Sequence, residues 1–264
     1  MSRRLRLVLP MAALVLAACG GQASQPAGDA AASNRTPTGV SGTVTVLAAA
    51  SLTQSFEALA EQLEAAHPDL DVVYSFGPSS GLVEQVNAGA PADILATANT
   101  STMDAAVEAG SVDGVPQVFA RNTLALVVPA GNPGKVTGLA DLARDELDIA
   151  ICEPQVPCGT ASEKLLTAAG VVAKPDTLAN DVKEAASLAA LGEVDAALVY
   201  RTDATAEGDA VETIEVPEAG QVVNDYPVAV LVDAPNPRAA GVVLAAITGE
   251  PGRSILAAAG FVLP

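Results

Sequence analysis

From residue 43 onward the chain alternates short apolar runs with stripes of helical period, and this alternation constrains the fold more than any other feature. The run at 43–50 reads as a buried strand. Behind it Leu52, Phe56, Leu59, Leu63 and Ala66 recur at the spacing of one helix face, and Pro68 stops the pattern. Residues 71–76 and 92–98 read as further strands, with helices at 81–88 and 103–109. Strand-helix-strand repetition implies parallel strands covered by helices, because a parallel pair needs a crossover long enough to hold one. A strand at 123–129 and the segments 139–144, 147–152, 161–169, 182–191 and 194–200 continue the alternation and call for a second α/β unit. A late strand at 226–232 and helices at 236–248 and 254–259 end the pattern; alternation alone assigns this tail to neither unit. No internal repeat occurs.

Residues 1–18 have the layout of an export leader, in which Arg3, Arg4 and Arg6 precede an apolar run too short for an ordinary membrane span. The run ends in Leu16-Ala17-Ala18-Cys19-Gly20, which resembles a bacterial lipoprotein signal: a small-residue cleavage site before a cysteine whose sulfur takes a diacylglyceryl group. A lipid anchor at Cys19 is the expectation, with a plain secretory peptide or an uncleaved anchor as the alternatives. Residues 20–38 are Gly, Ala, Ser, Gln and Pro with few large apolar side chains, the composition of a flexible tether, so 19–41 is expected to hold the folded body off the membrane.

Half of the 264 residues are hydrophobic and 17% are charged, which excludes disorder of the whole chain. Aromatic residues make up 3% and Trp is absent, so the core is expected to be built from Ala, Val and Leu. The formal charge is −18 and becomes more negative once the three leader arginines are removed. Nucleic acid and anionic lipid surfaces are therefore excluded as partners, since both require a basic face. An anionic ligand is compatible with this charge if N–H and O–H groups point at it from close range, where local dipoles outweigh distant, screened charges.

Two junctions supply such groups. Ser51 stands where a predicted strand meets a helix, and Ser51-Leu52-Thr53-Gln54 fits a capping box. The same position suits an anion site made of free N–H groups, helix dipole and hydroxyl. Phe76-Gly77-Pro78-Ser79-Ser80-Gly81 joins another strand to another helix with hydroxyls beside small residues. Both serine loops lie at the carboxyl edge of the predicted sheet, where open α/β sheets bind ligands. Two ordinary capped helices remain the alternative.

Six segments carry a family resemblance: residues 47–52 (LAAASL), 75–82 (SFGPSSGL), 87–93 (NAGAPAD), 156–159 (VPCG), 197–200 (ALVY) and 226–230 (YPVAV). In this order they resemble the periplasmic molybdate-binding proteins of ABC transporters, over essentially all of residues 43–264. The resemblance implies a two-lobed α/β fold of the type II periplasmic-binding-protein kind, each lobe a mixed, mainly parallel sheet flanked by helices, with the ligand cleft between lobes. One lobe would hold 42–122 and 228–264, the other 123–227. It implies no cofactor and no catalysis, a molybdate or tungstate oxyanion as ligand, an ABC permease as membrane partner and a monomeric state.

The matching ligand positions are Ser51 and Ser79, offering hydroxyl and N–H, Cys158 and Val182, offering backbone N–H, and Tyr200, offering its hydroxyl. Ser79 follows a proline where relatives often carry another serine, so Ser79 and Ser80 both stand as the closer contact. Relatives commonly have alanine at the position of Cys158, a change that a backbone donor tolerates.

A fully deprotonated tetrahedral dianion only accepts hydrogen bonds, so its site should offer donors and no ionised carboxylate. None of the five positions is acidic. A phosphate retaining a proton would want an acceptor, and Asp181 beside Val182 keeps that alternative open, although a helix cap is the simpler role for it. With Cys19 lipidated, Cys152 and Cys158 are expected to form a disulfide in an oxidising compartment; two free thiols are the other possibility. An exported serine hydrolase is the competing class, disfavoured by a single histidine, His67, at a predicted helix end and by the lack of a Gly-x-Ser-x-Gly elbow.

Overall fold

The computed structural model describes residues 39–264. The leader, Cys19 and the tether as far as residue 38 lie outside the described residues. Strand β1 (Gly42–Ala49) runs into a 3-10 turn (Ala50–Leu52) and helix α1 (Thr53–Ala66); β2 (Leu70–Gly77), α2 (Ser79–Asn87), β3 (Ile94–Ala96) and α3 (Thr100–Glu108) follow. The long β4 (Val112–Pro129) leads through a 3-10 segment (Leu139–Ala143) to β5 (Ile149–Cys152), α4 (Pro157–Ala169), β6 (Thr177–Ala179), α5 (Val182–Ala190), β7 (Ala196–Tyr200) and α6 (Arg201–Glu207). Then come β8 (Val211–Ile214), β9 (Val223–Leu231), α7 (Pro237–Thr248) and α8 (Glu250–Ala258).

The strands form a mixed sheet in the order β2-β1-β3-β9-β4-β7-β5-β6, with β8 also paired to β4. The parallel pairs are those the alternation predicts: β1 with β2 and β3, and β5 with β6 and β7. The two groups are joined by strands that run the other way. β4 and β9 pair antiparallel with each other, β3 pairs antiparallel with β9, and β7 and β8 pair antiparallel with β4. The sheet is therefore mixed, as the resemblance implies, because β4 and β9 return the chain between the groups without a helical crossover.

Two local expectations are corrected, and two short strands were missed. The strand read at 123–129 is the second part of an 18-residue strand whose first part, ending near Phe119, is largely exposed and lacked an apolar run to mark it. β6 and β8, three and four residues long, were too short to show a period. Ser51 does not cap α1: the 3-10 turn intervenes, the cap position is Leu52, and no side chain bonds to that helix end.

The core is dominated by Ala, Val, Leu and Ile. All seven aromatic residues of the chain nevertheless belong to one chain of ring contacts. It runs from Phe76 through Tyr74, Phe56, Phe119 and Tyr226 to Tyr200, with Phe261 also against Tyr226, and adjacent centroids are 5.1–6.5 Å apart. Such contacts add stabilisation beyond area burial. Here they tie β2, α1, β4, β9 and β7 together.

Asp93 closes the run 87–93 and is a buried clamp. Its carboxylate accepts from the Thr45 amide at 2.8 Å and the Asn236 amide at 2.6 Å, joining β1 to the start of α7. Two backbone N–H groups facing one buried carboxylate are a donor-only environment. Asp93→Asn is expected to destabilise by about 3 kcal/mol, since one N–H would then face an amide NH2. Thermal melting of the two proteins checks it, and an unchanged midpoint would remove the clamp role.

Candidate functional site

The carboxyl ends of β2, β1 and β3 lie side by side, as do those of β7, β5 and β6. The segments leaving them meet around one cavity of about 20 Å3, room for a small compact species and not an extended one. From the first group it is lined by Ala49, Ala50 and Ser51 after β1, Gly77, Pro78 and Ser79 after β2, and Ala98 after β3. From the second come Val156, Pro157 and Cys158 after β5, Asp181 and Val182 after β6, and Tyr200 at the end of β7.

All five positions singled out from the sequence thus face one cavity, and all five are buried. Ser80 is half-buried and does not line it. Ala98 had no signal in the sequence: it is a small residue after a short strand.

The helix ends at this cavity are left unfilled. At α2 and α4 no side chain accepts from the first-turn N–H groups, and the first helical bonds there are donated by Leu82 and Thr160. Away from the cavity, Asn99 and Asn236 cap α3 and α7 with their side chains. α5 is intermediate. Asp181 Oδ1 accepts from the Lys183 and Glu184 amides at 2.8 and 3.1 Å, which gives Asp181 the capping role and leaves the Val182 N–H out of that bond. Unfilled N–H groups with the positive end of a helix dipole behind them favour an anion.

The hydroxyls have defined partners. Ser79 Oγ accepts from the Ala98 amide at 3.1 Å. Tyr200 OH accepts from Asn224 Nδ2 at 2.7 Å, and Ser51 Oγ lies 3.0 Å from Tyr226 OH. Burial, with smaller contributions from Tyr226 and Asp203, holds the Tyr200 phenol well above its ordinary value of 10.0, so it keeps its proton. Neither Asn224 nor Tyr226 was singled out as a site residue. Tyr226 lay in a quoted motif and at the start of a predicted strand with no role assigned to it, and nothing in the sequence marks Asn224.

The loop presenting Cys158 is tightly built. Cys152 and Cys158 are joined by a disulfide, and a Cβ on Gly159 would fall 1.8 Å from the Glu153 carbonyl oxygen, so only glycine fits between loop and helix. This gives the segment 156–159 a steric reason.

Close to Val182 and Tyr200 in sequence lies a buried ion pair. Lys183 Nζ is 3.2 Å from Asp203 Oδ1, and among the described residues no hydrogen bond satisfies either carboxylate oxygen. Burial pushes the Asp203 carboxyl up to about 6 against the lowering pull of Lys183, with Asp181 and Glu207 raising it further. A carboxyl raised on folding holds its proton in the native state while the unfolded chain releases it. Its contribution therefore favours folding below the unfolded value of 3.8 and is lost as pH rises to about 6. Between pH 7 and pH 4 the wild type should gain on the order of 2–3 kcal/mol relative to Asp203→Asn, measured by denaturant unfolding at both pH values. A constant difference would show that Asp203 stays ionised throughout.

Comparison with known proteins identifies the family. Residues 44–262 match the family model described as bacterial extracellular solute-binding protein. The chain is 38% identical over 260 residues to the molybdate-binding protein ModA of Mycobacterium tuberculosis, covering 98% of this chain and 97% of the relative. It is 33% identical over 207 residues to ModA of Escherichia coli, covering 72% and 77%. Among solved structures, the periplasmic molybdate-binding protein of Azotobacter vinelandii superposes with a TM-score of 0.69 at 25% identity, covering 84% of this chain and 99% of that one. A model match over most of the chain, full-length identity and a shared fold together place this chain in the ModA family of bacterial extracellular solute-binding proteins.

Proposed function

We propose that this chain captures molybdate, and tungstate with it, outside the cytoplasm and delivers it to the permease of an ABC importer. The observation that carries this reading is the single small cavity onto which Ser51, Ser79, Cys158, Val182 and Tyr200 converge from both strand groups. Two backbone N–H groups and three hydroxyls supply donors at those positions, which suits a fully deprotonated tetrahedral dianion. The names of the relatives point to the same ligand.

The two strand groups correspond to two lobes, 42–122 with 228–264 and 123–227. Pairing supports these bounds: β3 meets β9 at residues 228–230, whereas β7 meets β4 at 124–127. An anion bonded to both lobes favours their closed arrangement by its differential affinity for it, and the closed shape is what a permease would recognise. Disulfide closure of 152–158 stiffens the loop that presents the Cys158 N–H. The protein acts as a monomer and performs no chemistry on its ligand. Ser51 and Ser79 support this, since their partners are a tyrosine and a backbone amide and not a general base.

Titration calorimetry with molybdate, tungstate, sulfate and phosphate tests the ligand. Tight molybdate and tungstate binding and much weaker sulfate are expected, with Ser51→Ala and Tyr200→Phe each losing roughly tenfold to a hundredfold. A protein that gives no molybdate heat but binds sulfate or phosphate would reassign the oxyanion.

Lipid anchoring through Cys19 is a separate part of the proposal, supported by the order of leader segments. Cys19→Ala should move the protein from the membrane fraction to the soluble fraction of the producing cell. Mass spectrometry of the wild type should find a diacylglyceryl mass on the residue; an unmodified Cys19 would rule the anchor out.

A further inference from the structure

Asn224 and Tyr226 lie on β9, both buried, and neither lines the cavity. Asn224 Nδ2 is 3.0 Å from the Ala98 carbonyl oxygen and 2.7 Å from Tyr200 OH. The direction of the protons here follows from one fixed point. A backbone carbonyl only accepts, so the side-chain atom of Asn224 that faces Ala98 has to be its amide nitrogen. That nitrogen only donates, so Tyr200 OH accepts from it, and the single phenolic hydrogen is directed away from Asn224, to the cavity or, when the cavity is empty, to the neighbouring Tyr226 hydroxyl. On the other face of the same residue, the Ala98 N–H only donates, so Ser79 Oγ accepts and also keeps its hydrogen free. Ala98 thereby sets two hydroxyls from opposite sides of the cavity as donors, one directly and one through Asn224. Ser51 is different, because either member of its pair with Tyr226 can donate.

We propose that Asn224 is a positioning and specificity-determining residue, which holds the Tyr200 hydroxyl as a donor to the cavity and so favours a fully deprotonated tetrahedral oxyanion over one that retains a proton. This rests on the molybdate reading above and deepens it. Hydrogen phosphate brings a donor of its own, and a Tyr200 oxygen that already accepts from Asn224 has one lone pair fewer to offer it while its O–H is directed at the ligand. Discrimination by an unmatched buried hydrogen bond can be large, because both groups lose water and gain no partner.

The test is a double-mutant cycle read by calorimetry with molybdate and with inorganic phosphate, on the wild type, Asn224→Asp, Tyr200→Phe and the combined variant. In Asn224→Asp the new oxygen can accept from Tyr200, which reverses the hydroxyl. Molybdate affinity should fall tenfold or more, the phosphate-to-molybdate affinity ratio should rise, and in the Tyr200→Phe background the loss should shrink to the part due to the added charge. Asn224→Ala, which removes the lock without adding charge, should show a smaller molybdate loss that vanishes with Tyr200→Phe. A merely structural role would lower both affinities together and add to Tyr200→Phe. Additive losses, or an unchanged ratio, in a wild-type background that binds molybdate overturn this inference alone. A wild type that takes phosphate in preference to molybdate overturns the functional reading and this inference with it.

Discussion

The antiparallel ladder between β4 and β9 is the constraint on which the rest depends. Every other strand pairs within one of two groups, and only this pair belongs to both. The helix N-termini that face the cavity stand at the ends of strands anchored to opposite sides of it. Their spacing is therefore set by the register of two strands. The aromatic chain reinforces that register, since Phe119 of β4 packs against Tyr226 of β9, and Tyr226 in turn against Tyr200 of β7. A protein with seven aromatic residues has placed all of them in the contact chain that crosses this junction.

An acidic protein that holds an anion has to solve an electrostatic problem locally. The surface charge is numerous but distant and screened, whereas a free N–H lies within hydrogen-bond range of whatever occupies the cavity. The structure separates the two kinds of helix end accordingly. α3 and α7 satisfy their first turns with asparagine side chains, while α2 and α4 leave theirs to the cavity. Asp181 is the informative intermediate, a carboxylate at the cavity's edge whose oxygen is committed to its own helix. A buried charge pair, Lys183 with Asp203, follows two of the donor positions in sequence and balances itself in part.

What the sequence disclosed follows from what leaves a local trace. Parallel strands buried on both faces leave apolar runs, and serine or glycine between such a run and a helical stripe marks a strand end, so Ser51 and Ser79 were legible. Cys158, Val182 and Tyr200 were legible only through resemblance: a backbone donor leaves no residue-type signature, and one tyrosine closing an apolar run carries no local mark of a ligand. The crossing strands were read only in part, for a physical reason. The first part of β4 is exposed and lacks an apolar pattern, and pairing direction is a long-range property that no local period encodes. The capping box at Ser51 failed in the same way: four residues matched the pattern, but the hydroxyl bonds to Tyr226, 175 positions away.

Asn224 shows where such reading ends. An asparagine between valine and aspartate on a late strand reads as a surface residue or a strand edge, and its importance arises from two contacts that meet only in the folded chain. Its bond to Ala98 belongs to one strand group and its bond to Tyr200 to the other. The polarity of the Tyr200 donor is thus correct only in the arrangement in which both groups meet β9. Donor direction and domain arrangement become a single condition, satisfied together or not at all. That coupling gives a physical reason for the polar network to sit on the crossing strand and not on either group alone.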